Sequence, residues 1–400
     1  MSELECVFCG RSYSFNPFYS FCPDCDEPLL FPIIKKKLKI DPRKGLSLEK
    51  FSKFLPLTEI HSGLSLGEGG TPLTRLIRLF PENGSLQVFV KNETLNPTGS
   101  FKDRGTAVAV QKAVELGLAR IGTVSTGNMA SSTAAYGAKA GLKTHVLVKE
   151  DISSEKLLST AAHDPLIVKV KGDYGALFYK SFDLAKKHKI YFMNSVDPLR
   201  IEGYKLVGLE IFFQMGQIPP DFVFVPTSSA GHLIGLMKSF IELKQQGRSD
   251  RMPIFVGVQA KGCSPLARAF ASNRQKFTRL KKVSTIAHAI SNPDPPGGNI
   301  ALKWIREHDG LIIDVTDNEI LAAQHLLSTQ EGVFCLPSSA TTLAGLIKLM
   351  NKKILKPDCR SVLVITGTGL KSLKTVRLKK ELQKITTLDG LDSCLATCSG

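Results

Sequence analysis

Strand and helix signals alternate along the chain beyond "LLFPIIKKKLKI" (29–40), and this predicts an α/β fold in layers. Three observations carry the prediction. Short β-branched and aromatic runs recur, each followed by a loop of small residues and then a stretch with helical spacing. No internal repeat of fixed period interrupts them. A pair of Cys-x2-Cys motifs stands apart at the front, ahead of the alternating region.

The front motifs are Cys6, Cys9, Cys22 and Cys25, with twelve residues between the pairs. Each pair supplies two thiolates from one tight knuckle, and four sulfurs complete a tetrahedron for a structural zinc ion. Gly10, directly after the first pair, suits the backbone bend such a knuckle needs. With every position filled by sulfur, no coordination site is left for catalysis, so the segment 1–35 is expected to be a zinc-ribbon-like unit.

The first strand of the alternating region is "LQVFVK" (86–91), and Asn96-Pro97-Thr98-Gly99 is turn chemistry. Ser100 and Asp103 have the spacing of a capping box, and "FKDRGTAVAVQKAVELGL" (101–118) carries apolar positions at helical spacing. Lys102 sits in the first turn of that helix, where the peptide dipoles favour acids. A local rule broken in this way marks a candidate functional residue. "RIGTVSTGN" (120–128) reads as strand into loop, "MASSTAAYGAKAGL" as a helix and "KTHVLVKE" (143–150) as a strand. "LIVKVKG", a helix over 174–187 and "IYFMNS" repeat the unit. "DFVFVPTSSAGHLIGLMKSFIEL" (221–243) is a buried strand, a small-residue loop and a helix, and "PIFVGVQA" and "SVLVITGTG" are further strands. The stretch after about Thr387 is expected to fray.

Ligands gather at the carboxyl ends of strands in open α/β sheets. Four loops end strands here: "NPTGSFK", "STGNM", "PTSSAGH" and "TGTGLK". "PTSSAGH" is the best placed for a phosphate, because backbone N–H groups and a helix N-terminus meet there. A lysine near a phosphate cradle suggests carbonyl chemistry. If the helix N-terminus disfavours its ammonium form, Lys102 titrates low and can form a Schiff base with an aldehyde, as pyridoxal phosphate requires. On that reading Asn128 reaches the ring hydroxyl and Thr366 the pyridine nitrogen.

The net charge of +16, from 52 basic and 36 acidic residues, admits anionic substrates or nucleic acid. One tryptophan and seven tyrosines give no obvious stacking platform, so nucleic acid is not the expected partner. No apolar run reaches the ~18 residues of a membrane span. "MSELECVFCG" has acids where a leader needs bases, and nine cysteines, an odd number, argue against a disulfide framework, so a cytoplasmic location is expected.

The runs "LGEGGTPL" (66–73), "KNETLNPTGSFKDRG" (91–105), "STGNMASSTAAYGAKAG" (125–141), "NSVDPLRIEGYKLVGLEI" (194–211), "LPSSATTLAGLIKL" (336–349) and "ITGTGLK" (365–371) occur in one order. In them the chain resembles the threonine synthases, within the tryptophan synthase-like (fold type II) pyridoxal phosphate enzymes. The resemblance covers roughly 65–375. It implies two open, twisted, mostly parallel sheets flanked by helices, with a large domain from 36–110 and 206–386, a small domain from 111–205 and a flexible tail from 387–400. It implies that Lys102 binds the cofactor and then shuttles protons, that Asn128 faces the ring oxygen, and that Thr366 meets the ring nitrogen. Ser228, Ser229, Ala230, Gly231 and His232 would take the cofactor phosphate. Ser125, Thr126 and Met129 would face the substrate, and Asn194, Ser195 and Arg200 would receive its phosphate. Glu93 and Arg104 would brace the loop by ion pairing.

The implied activity is a lyase reaction in amino-acid biosynthesis: O-phosphohomoserine and water give threonine and phosphate by γ-elimination and β-addition, in a homodimer. Departures from the pattern leave alternatives. The family's phosphate loop reads Gly-Asn-x-Gly-Asn, Met129 stands at a common threonine position, Ser372 replaces an aspartate, and "SNPDPPGGN" (291–299) is unfamiliar. A replacement or elimination on O-phosphoserine, as in cysteate synthase, is one alternative. A non-catalytic binding protein is the other.

Overall fold

The computed structural model describes residues 3–37, 45–81, 86–152, 154–373, 376, 386–389, 391 and 393. The strands are β1 (Glu3–Cys6), β2 (Ser12–Ser14), β3 (Leu29–Leu30), β4 (Leu73–Arg75), β5 (Gln87–Asn92), β6 (Arg120–Val124), β7 (Lys143–Lys149), β8 (Leu166–Val170), β9 (Tyr191–Phe192), β10 (Phe222–Pro226), β11 (Ile254–Ala260), β12 (Leu311–Val315) and β13 (Arg360–Ile365). The helices are α1 (Lys102–Glu115), α2 (Asn128–Lys139), α3 (Ser154–Ala161), α4 (Tyr174–His188), α5 (Pro198–Gln214), α6 (Gly231–Gln245), α7 (Pro265–Ala271), α8 (Gly298–Glu307), α9 (Asp317–Glu331) and α10 (Pro337–Asn351).

Three sheets organise the described residues. The small front sheet is antiparallel, in the order β2-β1-β3. The largest has the order β12-β11-β10-β13-β5-β4, parallel throughout except for the edge strand β4. The third, β8-β7-β6-β9, is all parallel. Its strands lie in sequence between β5 and β10, so the chain leaves the large sheet, builds the second one and returns. Parallel strands need cover on both faces. Accordingly every residue of β10 is buried, and Ser361 to Ile365 of β13 likewise. The stretch after Thr387, with Cys394 and Cys398, falls largely outside the described residues. No helix of the described residues is long and apolar enough to cross a membrane.

Helix α5, like α9 and α10, is a long helix that the sequence reading did not assign. Residues Pro198 to Phe212 are all buried, so no polar stripe marks it as a surface helix. Glu202, Lys205 and Glu210 are paired inside. Glu210 bonds Lys91 of β5 at 2.5 Å and bridges Arg104 of α1, which also bonds Glu93 at 2.7 Å. Glu202 and Lys205 join Lys238 and Glu242 of α6 in a second buried cluster. Closeness of the helices demands glycine. A Cβ on Gly203 would lie 2.2 Å from the Arg104 carbonyl oxygen, and one on Gly235 2.7 Å from Tyr204 Cβ.

The front sheet packs into the main body rather than standing off it. Leu4, Leu29, Leu30 and Phe31 share a core with Leu206 and Phe240. Phe21 meets Phe182 of α4 edge-on at 5.2 Å, and Glu27 accepts from Asn299 at 2.7 Å.

Removing one partner from a buried ion network leaves an uncompensated charge. Glu210→Ala is therefore expected to cost about 3–5 kcal/mol in urea unfolding. Lys303→Ala, which breaks an exposed pair with Glu307, is expected to cost under about 1 kcal/mol.

Candidate active site

The loop after β5 is zipped to the loop after β13. Phe101 N–H donates to the Thr366 carbonyl and Thr368 N–H to the Gly99 carbonyl, both at 3.0 Å, and Ser100 and Gly367 form an antiparallel bridge between them. Gly99 has φ 73°, and a Cβ there would lie 2.8 Å from Thr368 Cγ2. Glycine is thus required twice over. The expected capping box does not form: the residue before α1 is Phe101, with no side-chain cap. Asp103 instead turns back to accept from Thr98 N–H at 2.7 Å and Thr98 O–H at 2.6 Å. Ser100 Oγ is left buried without a partner.

Lys102 opens α1. Its Nζ lies 4.4 Å from the centre of the Phe101 ring and 5.6 Å from that of Tyr204. Burial, and then the positive charge of Arg200, bring the amine down to about 7. The low titration expected from the helix terminus therefore has another principal cause, desolvation.

The loop after β10 reaches the same place. Ala230 is in the left-handed region (φ 70°), and α6 begins at Gly231, where a Cβ would lie 2.4 Å from the Ser195 carbonyl oxygen. His232 stacks on Phe101 with ring centres 3.9 Å apart and meets Tyr204 edge-on at 5.6 Å. It does not cap the helix, and neither ring nitrogen has a partner. Burial first, then Lys102 and Arg104, hold the imidazole neutral. Two departures from the family pattern meet here. Gly297 N–H, from the unfamiliar 291–299 segment, donates to the Ser229 carbonyl at 3.1 Å.

Thr366 ends β13 on the other side, its hydroxyl 2.9 Å from that of Ser339 on α10. Asn128 opens α2, and its Oδ1 accepts from Lys371 Nζ at 3.0 Å. A lysine has only donors, so this contact turns the amide N–H2 group away from Lys371. Ser125, Thr126 and Ser195 are half-buried, and Met129 is buried. The sequence reading missed Ser339 and Lys371 as individual residues, although both lie within runs that carry the resemblance.

Asn194 and Arg200 differ from what was expected of them. Asn194 is buried, with its Oδ1 accepting from Val124 N–H at 2.9 Å and its amide donating to Ser181 at 2.9 Å. Arg200 is buried as well. It donates to the Met193 carbonyl at 2.7 Å, Thr133 Oγ1 at 2.9 Å, Tyr204 Oη at 3.4 Å and the Lys102 carbonyl at 3.5 Å. Arg200, expected to receive the substrate's phosphate, thus donates to neutral acceptors, the Lys102 carbonyl among them. The reason is packing: α5 lies against α1, which also packs on α2, and a buried guanidinium must find acceptors there.

The sulfur atoms of Cys6, Cys9, Cys22 and Cys25 lie within 4.8 Å of one another, compatible with a metal site. The two knuckles repeat each other. Gly10 N–H donates to the Cys6 carbonyl at 2.9 Å and Asp26 N–H to the Cys22 carbonyl at 3.0 Å. Gly10 (φ 71°) and Asp26 (φ 54°) are both left-handed.

An amine that is half neutral near pH 7, an unpartnered serine oxygen, two unpartnered imidazole nitrogens and the open N–H groups of α6 converge on one region. They would fit a phosphorylated aldehyde such as pyridoxal phosphate on an α/β fold. The family model described as pyridoxal-phosphate dependent enzyme matches residues 64–367. The chain is 36% identical to the threonine synthase of Methanosarcina acetivorans over 381 residues, 94% of each chain. It is 37% identical to that of Methanocaldococcus jannaschii over 377 residues, 92% of each. The crystal structure of a serine racemase from Dictyostelium discoideum shares the fold, with a TM-score of 0.60 and 25% identity, covering 77% of this chain and 93% of that one. The chain belongs to the threonine synthase family of pyridoxal-phosphate dependent enzymes.

Capture of pyridoxal phosphate by the apoprotein, followed by borohydride trapping, is expected to quicken with pH and level off above the Lys102 value of about 7. An ordinary lysine would keep gaining roughly tenfold per pH unit up to its pKa of about 10.4.

Proposed function

We propose that this protein is a threonine synthase that converts O-phosphohomoserine and water to threonine and phosphate, by γ-elimination and then addition of water at the β carbon. The observation that carries the reading is the Lys102 amine, depressed to about 7 where four strand-end loops meet, in a chain related to threonine synthases over nine-tenths of its length. Bound pyridoxal phosphate supplies an electron sink joined to the substrate's amino group.

The rest is work for the protein. Lys102 near neutrality is matched to taking the α proton and moving protons at the β and γ carbons. Arg200, hydrogen-bonded to the Lys102 carbonyl, keeps positive charge behind that amine and so favours its neutral form. Ser228 to His232 take the cofactor phosphate on backbone N–H groups and the imidazole edge. Asn128 donates to the ring oxygen and Thr366 meets the ring nitrogen. Ser125, Thr126 and Ser195 face the substrate. Met129 lines that side, while Asn194 and Arg200 brace it from beneath. Tyr204 and Phe101 exclude water from the amine.

The four front cysteines are proposed to hold structural zinc. A tetrahedron with Zn–S of about 2.3 Å puts sulfurs roughly 3.8 Å apart, and Cys9 and Cys22 are 3.8 Å apart. Cytoplasmic action fits free thiols among the described cysteines, and a homodimer is the proposed assembly.

Phosphate release decides the substrate. Release from O-phosphohomoserine with stoichiometric threonine is expected, and Lys102→Ala is expected to abolish it. Release from O-phosphoserine alone would instead favour the second reading, which the serine loop and Met129 motivate.

Purified protein is expected to carry one zinc per chain by metal analysis. Cys22→Ser is expected to lose the metal and to unfold at lower urea, because Cys22 and its neighbours belong to the main core.

A further inference from the structure

The hydrogen bond between Ser339 and Thr366 has a direction that the surrounding donors dictate. Ser339 Oγ accepts from Thr366 N–H and from Gly367 N–H, each at 3.1 Å. A serine oxygen has two lone pairs and one proton. Both lone pairs are therefore taken by backbone, and Ser339 can only donate in its remaining contacts. Those contacts are Thr366 Oγ1 at 2.9 Å and the Gly367 carbonyl at 3.4 Å. The carbonyl already accepts from Leu336 N–H at 2.9 Å, and the shorter contact is the stronger. Ser339 thus donates to Thr366. The Thr366 hydroxyl cannot donate back, and its own proton is turned out of this pair.

We propose that Ser339 is a positioning residue that fixes the Thr366 hydroxyl as a hydrogen-bond donor toward the ligand, so that the cofactor's ring nitrogen is held as an unprotonated acceptor. This rests on the reading above that Thr366 meets that nitrogen. Ser339 itself is fully buried. It acts by donating to one lone pair of the Thr366 oxygen, which frees the Thr366 proton to point outward, much as Lys371 donates to the Asn128 amide oxygen and leaves its N–H2 group free.

The test is the nitrogen-15 chemical shift of ring-labelled pyridoxal phosphate in the reconstituted holoenzyme, for the wild type, S339A, S339C and T366V. The wild type is expected to show a hydrogen-bonded, unprotonated nitrogen whose shift is flat between pH 6 and 9. T366V is expected to move the shift to that of a nitrogen without a donor. S339A is expected to move it in the same direction and to weaken cofactor binding about fivefold to tenfold. In the double variant S339A should add nothing further to the shift. S339C, whose thiol is a poor donor, serves if S339A does not fold, and should also move the shift toward T366V. A wild-type shift in S339A or S339C, with T366V displaced, overturns the role of Ser339. A shift unmoved in T366V removes Thr366 from the ring, and the proposal falls with it. A protonated ring nitrogen in the wild type also overturns it.

Discussion

Arg104 holds the first turn of α1 in place, and the rest of the site depends on that turn. Its guanidinium lies between Glu93, just after β5, and Glu210 on α5, with Lys91 closing the network. Burial by itself would push the Glu93 carboxyl up, but Arg104 and Lys91 outweigh it and hold the group at about 2. All four side chains are buried. A network so enclosed is costly to break, since each charge depends on the others for its solvation. Lys102 stands two residues before Arg104, so the strand, the helix and the reactive amine are set by one electrostatic clamp.

Around that clamp the polar groups fall into two kinds. Some are satisfied: Arg200 by carbonyls and hydroxyls, Asn194 by Val124 and Ser181, Asp103 by Thr98. Others are left without partners, notably Ser100 Oγ and both nitrogens of His232. An unmade hydrogen bond at a buried group costs about 1–3 kcal/mol. A ligand that supplies the missing partners recovers that energy, so the pattern of unsatisfied groups outlines where one belongs. The serine loop extends this outline outward, since Ser229 touches the 291–299 segment and Asn299 in turn reaches Glu27 of the cysteine-bearing front sheet.

Much of this was legible from residue order. The strand at 86–91, the helix opening at Lys102, the loops at 125–129, 226–232 and 366–371, and the cysteine knuckles follow from local rules. Helix α5 was not legible as a helix, because it is buried on all sides and its charges mark no polar face. Ser100 was misread for a related reason: the cap it predicts competes with a bridge to Gly367, and the bridge prevails. Ser339 gave no local sign of its own, since nothing in "LPSSATT" indicates which hydroxyl will face the end of β13.

By itself, the sequence determined the alternation of elements, the lysine at the start of α1 and the four clustered cysteines, because each rests on spacing along the chain. The tertiary structure alone decided that Arg200 and Asn194 turn inward, that His232 stays neutral against Phe101, and that burial rather than the helix terminus chiefly lowers Lys102. Those outcomes depend on what is packed beside a group and what water it has lost. Both are set by residues distant in sequence, and no local pattern encodes them.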